Sequence, residues 1–451
     1  MTRARPASFA LAGLACAAAA IALVGAARPA RARTTAADTR QVRTPLSSAR
    51  RVPALLVRAV ERAARTHAAD ALTLQLTAIV APDRECVAVD GPDGALARVG
   101  TTLALAPAST LKLLTATAAI DRLGPDHRFT TRVLADTDGN LVVVGGGDPL
   151  LATPEHIAHE HAQPRSRGAP FTPLTQLADA IVAAGVHKVT GAVVVDDHAH
   201  DTLRFLPAWK PIYAQEGDIG SLGALTVDGG WADADDQTAA PDPALTTGQH
   251  LATMLQARGV TITGGVRHGI ASASTREVAR VESPALSDIV GEMLTSSDNY
   301  TAEELLRDIA VGTAGDTPAT TEQGVQIVED DMYALGVGST GLVMHDGSGL
   351  AVDDRVTCAT MLAVIELSDR PKFAAIDKGL AVAARTGTLA ERFVGEPLAG
   401  KLRAKTGSIA GVVGLVGDVD RPDELRFAFL ANGNFSTAAL SWFVGTKRKK
   451  S

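Results

Sequence analysis

The sequence predicts an α/β fold of the α+β kind: a split domain in which an antiparallel sheet is flanked by helices, with a mixed α/β unit inserted into it. Three observations carry this. Pro107-Ala108-Ser109-Thr110-Leu111-Lys112 opens an Ala/Leu-rich helix that Gly124-Pro125 stops. Near the other end, Lys401 to Thr406, Gly411 to Val419 and Leu425 to Leu430 read as successive antiparallel strands. Between them, from Phe129 to about Pro284, the pattern changes to short β-like runs with two helical pieces, the mark of a separate unit. Strands and helices drawn from both chain ends close one domain, at 52–124 and 285–446, around an inserted domain at 125–284.

The elements follow in order. Arg3 and Arg5 precede an apolar stretch from Phe9 to Ala27 and the small-x-small run Ala30-Arg31-Ala32, so 1–32 reads as a signal peptide or membrane anchor and export is indicated. Residues 33–51, rich in Thr, Arg and Ser, read as a flexible spacer. Leu56, Ala59, Val60, Ala63 and Ala64 recur at helical spacing, which predicts a helix from Pro53 to Thr66. Strands are expected at Leu72 to Val80 and Cys86 to Val89. In the insert, Leu141 to Val144 and Ala192 to Val195 are strand-like, while Leu174 to Ala184 and Gly248 to Arg258 are helical. Past Pro284, Leu286, Ile289, Val290 and Met293 resume a helical spacing. That pattern breaks at Ser296-Ser297-Asp298-Asn299, and a further helix is expected from Ala302 to Val311. Ser436 to Val444 reads as a closing helix, and 447–451 as a basic tail that is solvated or touches membrane or anionic wall polymer.

Of 451 residues, 46% are hydrophobic and 21% charged, with a net charge of -7: an enzyme-like balance with no broad cationic surface for nucleic acid. Two cysteines, Cys86 and Cys358, lie beyond the N-terminal segment. They form one disulfide in an oxidising compartment or remain two isolated thiols, and neither spacing suits a metal or redox motif.

Three short signatures occur in order, each once: Ser109-x-x-Lys112, Ser297-Asp298-Asn299 and Lys405-Thr406-Gly407. Any one alone reads as ordinary cap and solvated residues; the trio in context does not. A serine hydroxyl is a poor nucleophile until a base takes its proton. At a helix start, positions i and i+3 share a face with Cβ atoms roughly 5–6 Å apart, so the Lys112 amine reaches the Ser109 hydroxyl. The free N–H groups and positive dipole end of that helix face any negative charge that develops there. Lysine is a useful base near neutral pH only if its neutral form is accessible, which burial and a second cation, Lys405, would favour. Thr406 and Ser408 then hydrogen-bond a substrate carboxylate and Gly407 lets substrate backbone approach. Asn299 holds a peptide amide, and Ser297 relays a proton to the leaving amine.

This trio resembles that of the penicillin-interacting serine enzymes. With Asp346-Gly347-Ser348-Gly349-Leu350, Gly387-Thr388-Leu389 followed by Arg392, Ala404-Lys405-Thr406-Gly407-Ser408, and Gly145-Gly146-Gly147-Asp148-Pro149, the chain is similar, from about Val52 to Trp442, to the class C low-molecular-mass penicillin-binding proteins. That is the D-alanyl-D-alanine carboxypeptidase/endopeptidase family. The resemblance implies a penicillin-binding transpeptidase-like, β-lactamase-like domain with a five-stranded antiparallel sheet, carrying an insertion between the first two signatures. It implies a serine D,D-carboxypeptidase or D,D-endopeptidase that acts on peptidoglycan stem peptides through an acyl-enzyme and is acylated by β-lactams, with no cofactor, outside the cytoplasm. Ser109 would be the acylated nucleophile and Lys112 the base. Ser297, Asn299 and Lys405 would complete the site, with Thr406 and Ser408 at the substrate carboxylate and the N–H groups of Ser109 and Ser408 as the oxyanion hole. The stretch between Lys112 and Ser297 is long enough for one inserted domain rather than two.

Rival readings fare worse. His156, His159, Glu160 and His161, and His198, His200 and Asp201, fit no metallohydrolase motif and read as exposed loop histidines. His345-Asp346-Gly347-Ser348-Gly349 fails G-x-S-x-G because Asp346 stands in place of Gly, so Ser348 reads as support for the site floor. A β-lactamase would share the trio, but no deacylating carboxylate is identifiable. A non-catalytic wall-binding protein of the same fold is the alternative from another class.

Overall fold

The computed structural model describes residues 66–433, except 67–68, 79, 82, 234–237, 314, 339 and 421–423. The helix expected at Pro53 to Thr66, apart from its last residue, and the closing helix at Ser436 to Val444 lie outside the described residues, as do the N-terminal segment, spacer and basic tail.

Where a strand was expected at Leu72 to Val80, the chain forms helix α1 (69–77). Leu72 and Leu76, one helical turn apart, pack with Val80 on Val87, Val89, Val99 and Phe429, so the one-turn spacing governs this segment rather than any alternation. Strands β1 (Glu85–Gly91) and β2 (Gly94–Val99) follow, then helix α2 (Lys112–Leu123), which Gly124 terminates at φ +88°. Leu113, Leu114, Ala116, Ala118, Ala119 and Ile120 are all fully buried, so α2 is the central helix of the core; its small alanines let neighbouring elements approach from all sides.

The chain then builds a second sheet from β3 (Thr130–Ala135), β4 (Leu141–Val144), β5 (Val193–Asp196), β6 (Val266–His268) and β7 (Arg276–Glu282). Its order is β6-β5-β4-β3-β7, parallel among the first three and antiparallel in the rest. Helix α3 (Pro154–Ala162) lies between β4 and β5 in the chain. Helices α4 (Leu174–Ala183) and α5 (Pro243–Ala257) bury Leu174, Leu177, Ile181, Leu251 and Leu255 against Val133, Val143, Val193 and Val195 of the sheet, a core of its own. The Gly145-Gly146-Gly147 run is a packing device: a side chain on Gly147 would fall 1.9 Å from Asp308 Oδ1, and one on Gly146 2.2 Å from Thr130 O.

Helix α6 (Leu286–Glu292) runs into a π-turn (Met293–Ser297), followed by α7 (Asn299–Asp308), α8 (Thr321–Ala334) and α9 (Cys358–Leu367). Strands β8 (Ala381–Val382), β9 (Leu402–Ile409), β10 (Val412–Val419) and β11 (Leu425–Asn432) complete the first sheet in the order β8-β9-β10-β11-β1-β2, antiparallel throughout. Six strands stand where the resemblance implied five; the sixth is the two-residue edge at Ala381–Val382, paired with Ala404 and Arg403. Pairing of β11 with β1, from Glu85↔Ala431 to Asp90↔Arg426, joins the two chain segments into one sheet. Cys86 and Cys358, left open above, form a disulfide that ties β1 to α9.

Candidate active site

The nucleophile turn is a single 3-10 turn, Ala108–Leu111, leading into α2, with Ala108 at φ +48° and Lys112 as the first α-helical residue. Three residues and one turn bring Lys112 Nζ to 3.1 Å from Ser109 Oγ. The Lys112 side chain is fully buried, and its amine also donates to Asn299 Oδ1 (2.6 Å) and to the Ser348 carbonyl (2.7 Å). Three acceptors match the three donors of an ammonium, so burial leaves none of them unsatisfied.

Asp298 is the N-cap of α7: its carboxylate accepts from the N–H groups of Tyr300 (3.0 Å) and Thr301 (3.3 Å). Helix α7 therefore starts at Asn299, three residues before the expected Ala302. Ser297, at φ +68° at the end of the π-turn, is turned the other way, so that Lys405 Nζ donates to its Oγ at 2.7 Å. One bend thus presents Asn299 to the first lysine and Ser297 to the second.

Lys405, Thr406 and Gly407 lie mid-strand in β9, which runs on to Ile409 rather than ending before Ser408. Gly407 was expected to admit substrate backbone. A side chain there would instead fall 2.6 Å from Pro107 O, so the glycine is what lets β9 lie against the nucleophile turn. Lys405 is fully buried and also donates to Thr406 O (2.9 Å); Thr406 bonds Thr388 of the Gly387–Leu389 turn (3.0 Å), and Ser408 is exposed beside it.

Electrostatics follow from this burial. Loss of hydration lowers Lys112 to about 8 against the pull of Asp346, Glu303, Asp298 and Asp218. Lys405 is depressed well below the lysine range, first by burial and then by repulsion from Lys112 and Arg392. Arg392 is itself lowered to about 10 by burial, and its Nη1 has no hydrogen-bond partner among the described residues. A buried amine whose neutral form is brought within reach, beside a half-buried hydroxyl, is the arrangement that activates a serine.

The floor is the loop 346–351. Thr115 Oγ1 donates to Gly347 O (2.8 Å), and Gly349, at φ +81°, packs so closely that a side chain would fall 2.0 Å from Ala108 O. Asp346 accepts from Trp209 Nε1 (2.8 Å), which reaches across from the stretch between β5 and α5. Asn299, expected to hold a peptide amide, already has both ends engaged: its Nδ2 donates to Asp218 O at 2.7 Å. Asp218, Trp209, Glu303 and Asp346 were not assigned to the site from sequence; Lys112 and Ser348 alone are 236 positions apart, and no spacing rule links such residues. A cavity of ≈ 150 Å³ adjoins Ser297 and Asn299, walled by Asp218, Phe171 and Trp231.

The histidine clusters are exposed only in part: His161 and His198 are exposed, His198 in the turn after β5. His156 is buried on α3. His200 is buried between Glu304 (3.0 Å from Nδ1) and Asp308 (2.9 Å from Nε2) of α7, because the stretch after β5 crosses that helix.

A model of the D-Ala-D-Ala carboxypeptidase 3 (S13) family matches residues 93–240 and 232–442. A carboxypeptidase of Mycobacterium tuberculosis is 33% identical over 367 residues, 76% of either chain. The D-alanyl-D-alanine carboxypeptidase of Actinomadura sp. is 28% identical over 423 residues, 75% of either chain. Among solved structures, penicillin binding protein 4 of Haemophilus influenzae superposes with a TM-score of 0.66 at 20% identity, over 80% of this chain and 94% of that one, a likeness of fold. With a family model spanning nearly all described residues and a relative 33% identical over 76% of either chain, the chain belongs to the D-Ala-D-Ala carboxypeptidase 3 (S13) family.

Proposed function

We propose that this protein is a serine D,D-carboxypeptidase, with D,D-endopeptidase activity on cross-linked stems, that uses Ser109 as nucleophile and Lys112 as general base. The observation that carries this is the buried Lys112 amine 3.1 Å from Ser109 Oγ, its pKa lowered to about 8. The neutral amine takes the Ser109 proton as Oγ attacks the carbonyl of the D-Ala-D-Ala bond. The N–H groups of Ser109 and Ser408 hold the oxyanion. As the C–N bond breaks, the proton that Lys112 took passes through Ser297, which Lys405 contacts at 2.7 Å, to the leaving amine, and Lys112 is neutral again. Water then attacks the acyl-enzyme, Lys112 again removing its proton, and Ser109 is regenerated. Thr406 and Ser408 bind the terminal carboxylate.

A β-lactam enters by the same attack, but its leaving nitrogen stays tethered, so the acyl-enzyme persists. The domain with residues 125–284 inserted forms one catalytic body in this reading. Its peptidoglycan substrate places it outside the cytoplasm, reached by export through residues 1–32; no helix of the described residues is long and apolar enough to cross a membrane.

Intact-mass spectrometry after incubation with benzylpenicillin, with the adduct mapped by digestion, tests the assignment. One adduct on Ser109, absent in Ser109→Ala, is expected. Folded protein that neither labels nor hydrolyses the drug would favour the non-catalytic wall-binding reading, and hydrolysis without accumulation a β-lactamase.

A further inference from the structure

Beneath Lys112 lie three fully buried carboxyls, Glu303, Asp346 and Asp354. No lysine or arginine among the described residues lies within ion-pair distance of them. The ammonium that acts on Asp346 and Glu303 is Lys112, across the 346–351 loop, and the His345 ring Nδ1 lies 3.4 Å from Asp354 Oδ1. Lys112 also faces Asp298 ahead of α7, Asp218 from the inserted stretch and Lys405 of β9. Three buried anions against one ammonium are too costly to leave unprotonated.

The hydrogen bonds indicate which carboxyls are neutral. Asp346 accepts from three N–H groups, those of Trp209 (2.8 Å), Gly349 (2.7 Å) and Ala351 (2.7 Å), the pattern of a carboxylate. Asp354 accepts the His345 N–H on Oδ1 (2.8 Å), while its buried Oδ2 has no donor and the side chain lies against Asp346. Two acceptors face each other there unless one carries a proton. Glu303 Oε1 accepts from Ser348 N (2.7 Å) and Gly347 N (3.1 Å), Oε2 shares the Gly347 bond (3.1 Å), and the Ser348 hydroxyl lies in hydrogen-bond contact with the same carboxyl. A hydroxyl accepts as well as donates, so a protonated Glu303 finds an acceptor in Ser348 Oγ while its other contacts are the backbone N–H groups.

We propose that Glu303 and Asp354 hold protons in the resting enzyme and act as positioning residues: they carry the hydrogen bonds of the 346–351 loop, and so the Ser348 carbonyl that Lys112 contacts, without adding negative charge beneath that lysine. Asp346 is then the one ionised carboxyl of the three. Burial, followed by the charge of Asp346, pushes Glu303 up to about 8 and Asp354 up to about 10, in the same direction as the hydrogen bonds. An ionised Glu303 would hold the Lys112 proton in place and slow every step in which that amine serves as base.

The kinetic part rests on Lys112 being the base; the protonation does not, and the two are read separately. Infrared spectra of wild type, Glu303→Gln and Asp354→Asn near pH 6 should each differ by one protonated-carboxyl carbonyl stretch, present in wild type and lost in the variant. Absence of both bands overturns the proposal whether or not Ser109 is acylated. In acylation kinetics, Glu303→Gln should stay within about threefold of wild type with its acid limb unmoved. An acid limb moved down by about one pH unit or more would mean that an anion had been removed, and would overturn it. Should Glu303→Gln misfold, Asp354→Asn, whose amide donates to Asp346 as the acid does, carries both readouts with the same expected and contrary results.

Discussion

Acylation of Ser109 should accelerate steeply with pH, because the base is an amine that burial holds at about 8. The group is neutral, and so able to accept the serine proton, in about 1% of molecules at pH 6, about 10% at pH 7 and half at pH 8, so the rate should rise roughly fiftyfold from pH 6 to pH 8 and then level off. A lysine left at its usual value of 10.5 would be neutral in only about one molecule in three thousand at pH 7, so burial makes the base roughly 300-fold more available there. Three donor contacts to Ser109, Asn299 and Ser348 oppose that loss of a proton, and the buried position outweighs them. The assay is stopped-flow acylation by a chromogenic cephalosporin without an ionisable group in the range, with the second-order rate constant followed across it. A flat profile between about pH 6 and 8 would refute the reasoning, as would an acid limb near the unperturbed lysine value; Lys112→Ala should leave a slow, nearly pH-independent residue of activity.

Three further outcomes follow from packing and linkage. Gly349→Ala should cost about 3 kcal/mol or more of stability and slow acylation over tenfold, since φ +81° and a Cβ 2.0 Å from Ala108 O force the nucleophile turn to move; urea unfolding and β-lactam kinetics indistinguishable from wild type would contradict this. Removing the Cys86–Cys358 bridge, which spans 272 positions, should destabilise by about 3–5 kcal/mol, toward the chain-entropy limit for so long a loop; an unchanged urea midpoint on reduction argues otherwise. His200 is raised to about 9 because, against burial, the hydrogen bonds and charges of Asp308 and Glu304 dominate. A folded-state value above the usual 6.5 means stability fully present below that value and lost as pH rises through about 9. The stability gap between wild type and His200→Gln should therefore be widest near pH 6 and close by about pH 10, with Asp308, raised to about 7, titrating in the same direction; thermal melts showing a gap that widens would reject the pairing.

The pairing of a serine and a lysine on one turn was legible because it is short-range physics, whereas the Asp298 cap of α7 and the close approach at Gly407 emerged only in the structure. The fold class was legible too, since the helical spacing of α2 and the long terminal strands are periodic along the chain. Helix α1 was misread because Leu72 and Leu76 make sense only against the outer face of a sheet formed by distant segments. The amino-acid sequence by itself determined that Ser109 and Lys112 share one turn with Lys405 as a candidate second cation, and that strands from both chain ends share one sheet. Tertiary structure alone decided what lies around them: Glu303, Asp346 and Asp354 beneath Lys112, Asp218 on Asn299, His200 between two acids of α7. Such partners are chosen by packing across tens to hundreds of residues, and a pKa or a buried hydrogen bond depends on the whole neighbourhood being dry, which no spacing along the chain encodes.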